Sequence, residues 1–193
     1  VYGIFRAQSH HEDIELFEEG VSFYFPRQLM DKGSQPNFSL ADYISPLGDD
    51  YIGLFAVTAG HGIENIIQEY QSKNDDYNEI MVKVLADRLA EAAAEWLHRK
   101  VRTKYWGYSK KEELDLNDML YEKYIGIRPA PGYPACPDHK EKDKIWKLLQ
   151  VENEIGISLT ESRAMFPAAS VCGWYFSHPK ARYFSVLKNE RLK

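Results

Sequence analysis

The sequence predicts an α+β fold: a single domain with an antiparallel or mixed twisted sheet and long central helices. Three observations predict it. Short apolar and alternating runs crowd the first 25 residues, a helix-compatible stretch with no Pro or Gly runs from 75 to 106, and apolar strand-length runs return near the end. Strands first, helices in the middle and strands last do not alternate as βαβ units do.

Residues 1–7, 12–17 and 20–25 read as strands, and Asp13-Ile14-Glu15-Leu16-Phe17 has the period of two of a half-buried one. Glu18-Glu19-Gly20 is hairpin-like. Residues 31–37 form a polar loop, and Ser39 is placed to N-cap a short helical turn through Ile44. Tyr51–Ala59 is a continuous apolar run, which predicts a buried central strand. Gly60-His61-Gly62 ends it, and a helix to about Lys73 follows.

Asp75 or Asp76 caps the strongest element, a helix to about Tyr105 that Gly107 stops. Its apolar positions Ile80, Val84, Leu85, Leu89, Ala92, Ala93, Trp96, Leu97 and Val101 predict the buried stripe. About 30 residues at ~1.5 Å each make a rod of roughly 45 Å. Shorter helices are expected over 116–123 and 140–150, with closing strands over Val171–Ser177 and Tyr183–Leu187.

At 193 residues the chain is long enough for one domain with a sizeable core and short for two. Twenty-four Lys and Arg against 29 Asp and Glu give a net charge of −5, which argues against non-specific nucleic-acid binding. No apolar run approaches the ~20 residues of a membrane span. The chain opens on Val1-Tyr2-Gly3-Ile4-Phe5 without a signal-peptide pattern, so it is expected to be a piece of a longer, cytoplasmic protein. Cys136 and Cys172 are too few for a disulfide framework and read as small buried residues.

Four prolines and a glycine fall within the eleven residues 127–137, Ile127–Pro137. Such a strip is stiff and near polyproline geometry, and its carbonyls have few N–H partners of its own. A leading Arg128 adds a group that grips a carboxylate with two parallel hydrogen bonds. From composition alone a structural loop is the simpler reading. His10-His11 and His61 have no partners at metal spacing. Gly60-His61-Gly62 lacks the rest of a glycine-rich nucleotide loop. Arg99, Lys100, Arg102 and Lys104 form a basic cluster that complements the helix dipole.

The run GIRPAPGYPACPDHKEK, residues 126–142, resembles the activation domain of cobalamin-dependent methionine synthase. The pattern R-x-x-x-G-Y-x-x-x-P falls on Arg128, Gly132, Tyr133 and Pro137. DYIGLFAVTAG, DDYNEIMVKVLADRLAEAAAEWLH, YWGY and SVCGWYFSHP also resemble that domain, so the likeness spans nearly the whole chain. The resemblance implies residues 1–193 are most of one such domain, with an N-terminal part and a C-terminal tail beyond them.

It further implies binding of S-adenosylmethionine, whose methyl group, with one electron from a flavodoxin-type donor, returns oxidised cobalt(II) cobalamin to methylcobalamin. The module would belong to a methyltransferase of methionine biosynthesis and be inactive alone. Cobalamin would be held by the cobalamin-binding domain of the same polypeptide, and zinc only by another module. By the same resemblance the ligand set is Arg128, Gly132, Tyr133, Glu91, Glu122, Tyr183 and Phe184, and Asp87 and Glu64 face the cobalamin domain. Acidic groups stabilise a sulfonium by Coulomb attraction. No acid, base or nucleophile is required, because a sulfonium is already a good leaving group and the protein's task is placement. Without the resemblance, Glu91 and Glu122 read as ordinary solvated helix charges, and Asp87 and Glu64 do so about as readily. The alternative is a docking module for flavodoxin or the cobalamin domain with no ligand of its own. A classical methyltransferase is disfavoured by the missing glycine loop.

Overall fold

The computed structural model describes residues 1–29, 33–34 and 36–186. Asp31, Lys32 and Gln35 of the expected polar loop, and Leu187 of the expected last strand, lie outside them. The sheet is built from β1 (Tyr2–His10), β2 (Asp13–Leu16), β3 (Val21–Tyr24), β4 (Asp50–Thr58) and β7 (Ser170–Tyr175), in the order β3-β2-β1-β4-β7. Every pairing is antiparallel. The run read as a central strand is the interior β4, with Leu54 opposite Gly3 of β1 and Trp174 of β7. The short pair β5 (Ser158–Leu159) and β6 (Met165–Phe166) lies apart from it.

Period-two alternation sorts the sheet's two faces. Ile52, Leu54, Ala56, Cys172 and Trp174 point into the main core with Ile14, Leu16, Phe23 and Phe25. That core is closed by α4 (Glu141–Leu149), through Ile145 and Leu149, and by α5 (Val151–Ile155). The opposite residues, Phe55 and Tyr175, stack at 4.6 Å and meet Ala94, Leu97 and Val101. Those three belong to α2 (Asp76–Lys100) and the turn that extends it, so the sheet lies between helical layers. The remaining helices are α1 (Ile63–Ser72), against α2, and the short α3 (Leu116–Leu120).

Ser39 caps a 3-10 turn, Leu40–Tyr43, in a full capping box with Asp42. Asp75 caps α2 by accepting from the N–H of Asn78. The long helix departs from expectation in two ways. Its regular α geometry ends at Lys100, and Val101–Tyr105 form a π turn in which Trp106 N–H donates to Val101 O. Its buried face matches the predicted stripe only at the C-terminal end, at Leu97 and Val101. Ala86, Ala90 and Ala94 face inward, while Leu85, Leu89 and Trp96 are 54%, 63% and 57% exposed. Ile80 and Val84 of the predicted stripe are exposed as well. The sheet beneath carries the stacked rings of Phe55 and Tyr175, so methyl side chains are what the remaining gap admits.

The expected strand over Tyr183–Leu187 is not formed across 183–186. This segment lies beside the proline strip, where Val186 N–H donates to Pro134 O. A strip carrying Pro129, Pro131, Pro134 and Pro137 lacks the N–H groups to continue a ladder.

Candidate functional site

The proline strip is extended only at its start. Ile127 pairs with Phe176 beyond the end of β7, and Trp174 N–H donates to Pro129 O at 3.0 Å. It then folds back: Gly132 N–H donates to Cys136 O, and Cys136 N–H to Tyr133 O. The expected row of free carbonyls is therefore partly used, by Trp174 at Pro129, Tyr133 at Ala130 and Val186 at Pro134. Gly132 makes the fold-back possible. Its φ is +92°, and a Cβ there would sit 2.1 Å from the His139 ring.

Between this strip, β7, α2 and the last described segment lies a cavity of about 330 Å³. That is within the range of small-molecule sites. Of the residues named from the sequence, Arg128, Tyr133, Glu91, Tyr183 and Phe184 line it together. Gly132 shapes the wall from behind. Glu122 is not in the lining; it follows α3 with φ +52° and is exposed, and its charge adds only a little to the burial that raises the Tyr183 phenol. Asp87 lines an adjoining recess with Val84, Arg88, Glu91 and Val171. Glu64 lies in the first turn of α1, outside both hollows. His139, Lys142, Met165 and Cys172 also line the cavity; the first two fall in the run 126–142 and Cys172 in SVCGWYFSHP, but no pattern singled them out as lining residues. The Cys172 thiol is pushed up to about 12 by burial, which makes it an apolar wall.

Arg128 is already engaged. Its Nη1 donates to Glu95 Oε2 and to the Tyr124 hydroxyl. Its backbone N–H donates to the Tyr183 hydroxyl at 3.1 Å. Burial works against the guanidinium charge, but Glu95 and Tyr124 outweigh it and hold the group above its ordinary value. Burial raises the Tyr183 phenol, whose oxygen accepts from Arg128 N–H.

Behind Arg128 lies a buried charged row. Arg102, expected in a surface basic cluster, is fully buried, and its Nε and Nη2 donate to both carboxylate oxygens of Glu112 at 2.7 and 2.9 Å. Its guanidinium lies 3.9 Å from the Tyr124 ring centroid. Position 102 continues the i, i+4 series of buried residues Ala86, Ala90, Ala94 and His98, so its side chain leaves on the covered side. Arg99 and Lys104 remain exposed, and Lys100 lies over the Trp96 ring.

His98 is fully buried, stacked on Tyr175 at 5.0 Å, with Nε2 3.3 Å from the Tyr108 hydroxyl. Burial first, then the charges of Arg102 and Arg128, push its pKa well below the ordinary value. The folded chain keeps His98 neutral while the unfolded chain takes a proton near pH ~6.5. Below that pH the unfolded state binds more protons, so the stability present above it is lost on acidification, by up to ~1.4 kcal/mol per pH unit. We expect the melting temperature to fall from pH 7.5 to 5.5, and to fall less in His98→Asn. Equal pH slopes would remove His98 from the account.

The comparisons with known proteins fit this geometry. A family model described as "Vitamin B12 dependent methionine synthase, activation domain" matches residues 1–191. A solved structure described as "Crystal Structure of the MetH Reactivation Domain bound to AdoHcy" superposes with a TM-score of 0.91 at 49% identity. The match covers 96% of this chain and 60% of that one, so the chain spans about 60% of its neighbour's length. A match over nearly every residue, with the signature arginine, glycine and tyrosine at the cavity, leaves one conclusion: the chain belongs to the family of activation domains of vitamin B12-dependent methionine synthase.

Proposed function

We propose that this chain binds S-adenosylmethionine in the cavity headed by Arg128 and offers its methyl group to cobalamin held by a neighbouring domain of the same polypeptide. The observation that carries the reading is the coincidence of that cavity with a fold whose 49%-identical neighbour is described as bound to AdoHcy. The residues present suit the ligand. Arg128 suits the carboxylate, through Nε and Nη2, which have no partner among the described residues. The carbonyls of Pro131 and Ala135 accept nothing among the described residues and suit an ammonium or an adenine amine. Tyr133 and Phe184 supply rings for the purine face. Glu91, on the rim shared with the Asp87 recess, suits the sulfonium.

A reduced corrin cobalt supplies the nucleophile, and this chain's residues supply placement. A docking module without a ligand would not need a lined cavity beside Arg128, so that alternative is not favoured. Asp87 marks the side presented to the cobalamin domain. The basic end of α2 and the turn after it, with Arg99 and Lys104 exposed and Lys100 half-buried, suits an acidic electron donor of the flavodoxin type. We further take residues 1–193 as most of one activation domain of a cytoplasmic enzyme. The exposed apolar ridge Leu85, Leu89 and Trp96 and the 60% coverage of the neighbour support more polypeptide packing there. No helix of the described residues is long and apolar enough to cross a membrane.

The test is calorimetric titration of the full-length protein with S-adenosylhomocysteine. Saturable heat is expected, with at least a tenfold loss of affinity in Arg128→Ala. No heat, or no loss in that variant, refutes the reading.

A further inference from the structure

We propose that Glu95 is a positioning residue: it holds Arg128 in the orientation that receives the ligand's carboxylate. The proposal rests on the reading of the cavity given above and goes beyond it. Nothing in the sequence pattern points to Glu95, which sits on α2, 33 residues before Arg128.

Four charges of alternating sign run inward from the cavity. Arg128 Nη1 contacts Glu95 Oε2. Glu95 Oε1 lies 3.7 Å from Arg102 Nη1. Arg102 closes the row on Glu112, whose side chain is 4% exposed. The Tyr124 hydroxyl accepts from the same Arg128 nitrogen that Glu95 holds, while the Tyr124 ring covers Arg102. Glu95 is thus fixed by a rigid helix on one side and two guanidinium groups on the other. Its grip on Nη1 leaves the Nε–Nη2 edge of Arg128 for a bidentate partner.

The physical reason for such a holder is entropy. An arginine side chain has several rotatable bonds and rotamer freedom to lose on ordering. Arg128 stands on a strip whose neighbour Pro129 is pinned to β7, but the strip fixes only its backbone. Ordering the guanidinium before the ligand arrives removes that cost from binding. The competing role is a plug. A carboxylate beside Arg128 also repels the ligand's carboxylate and competes for the same cation, so removal of a plug tightens binding, whereas removal of a holder weakens it. The contact at Nη1 alone, with the other edge left open, favours the holder.

The experiment compares two ligands by calorimetry in the full-length protein. S-adenosylhomocysteine carries the carboxylate; 5′-methylthioadenosine keeps the sulfur and nucleoside and lacks it. Glu95→Ala is expected to weaken S-adenosylhomocysteine at least tenfold and to leave methylthioadenosine binding as in wild type. Glu95→Gln keeps an accepting oxygen at the same reach and is expected to stay within about threefold of wild type for both. Unchanged or tighter S-adenosylhomocysteine binding in Glu95→Ala overturns the proposal, and so does an equal loss of both ligands. Arg128→Ala separates the two claims: if it binds S-adenosylhomocysteine normally, the cavity reading fails; if it loses binding while Glu95→Ala does not, only the role of Glu95 fails.

Discussion

Glu112→Ala is expected to destabilise the fold by about 3–5 kcal/mol, the usual consequence of leaving one partner of a buried ion pair uncompensated. Arg102 is fully buried, and both of its short contacts go to Glu112. Its remaining Nη1 has no hydrogen bond among the described residues and reaches Glu95 only at 3.7 Å. The Tyr124 ring over the guanidinium softens the loss but cannot accept the two N–H bonds. Ser109 N–H donates to Arg102 O and Glu112 N–H to Ser109 O, so the backbone brings the loop to Arg102 and the ion pair adds the side-chain tie that Glu112→Ala removes. Urea unfolding gives the number. A loss under about 1 kcal/mol would mean that the charged row is not what orders this end of α2.

Gly173→Ala tests the other support of the site. Gly173 lies in β7 directly under the strip, where an added Cβ would sit 2.3 Å from Pro129 O and 3.2 Å from the Phe55 ring. Both neighbours are fixed, one as backbone and the other by stacking on Tyr175. The strip must therefore lift, which breaks the Trp174 N–H bond to Pro129 O and moves Arg128. Overpacking of this kind costs about 1–3 kcal/mol. We expect that loss of stability together with at least a tenfold loss of S-adenosylhomocysteine affinity. Full affinity in a destabilised variant would show that the seat of Pro129 on β7 does not set the position of Arg128.

The sheet was legible because its strands carry their burial in the sequence, Asp13–Leu16 as alternation and Asp50–Thr58 as the unbroken apolar run of an interior strand covered on both faces. The long helix was legible in existence and nearly in length, but in facing only at its C-terminal end. Hydrophobicity pointed correctly to Leu97 and Val101 but also to Leu85, Leu89 and Trp96, which are exposed, while it passed over the buried Ala86, Ala90 and Ala94. The rings of Phe55 and Tyr175 on the opposing sheet decide that, and no local pattern carries it. The closing strand failed for a related reason, since what lies beside Tyr183–Val186 is a strip with too few N–H groups to pair.

The site divides in the same way. Arg128, Gly132 and Tyr133 were visible through a motif contiguous in sequence. Tyr183, Phe184 and Glu91 needed the resemblance, and the structure brings them to the cavity across tens of residues. Glu95, Arg102 and Glu112 form a unit only once the segment after α2 folds Glu112 back onto Arg102, a contact that no local pattern marks. The orienting groups were hidden for that reason, although the group they orient was plain.

A crystal of the full-length protein grown with S-adenosylhomocysteine tests the central claim most directly, by showing where the ligand lies. The account predicts its carboxylate on the Nε–Nη2 edge of Arg128, with Glu95 still on Nη1 and the nucleoside between the proline strip and Tyr183-Phe184. Density for the ligand at any other place, with this cavity filled by the protein's own side chains, would contradict it.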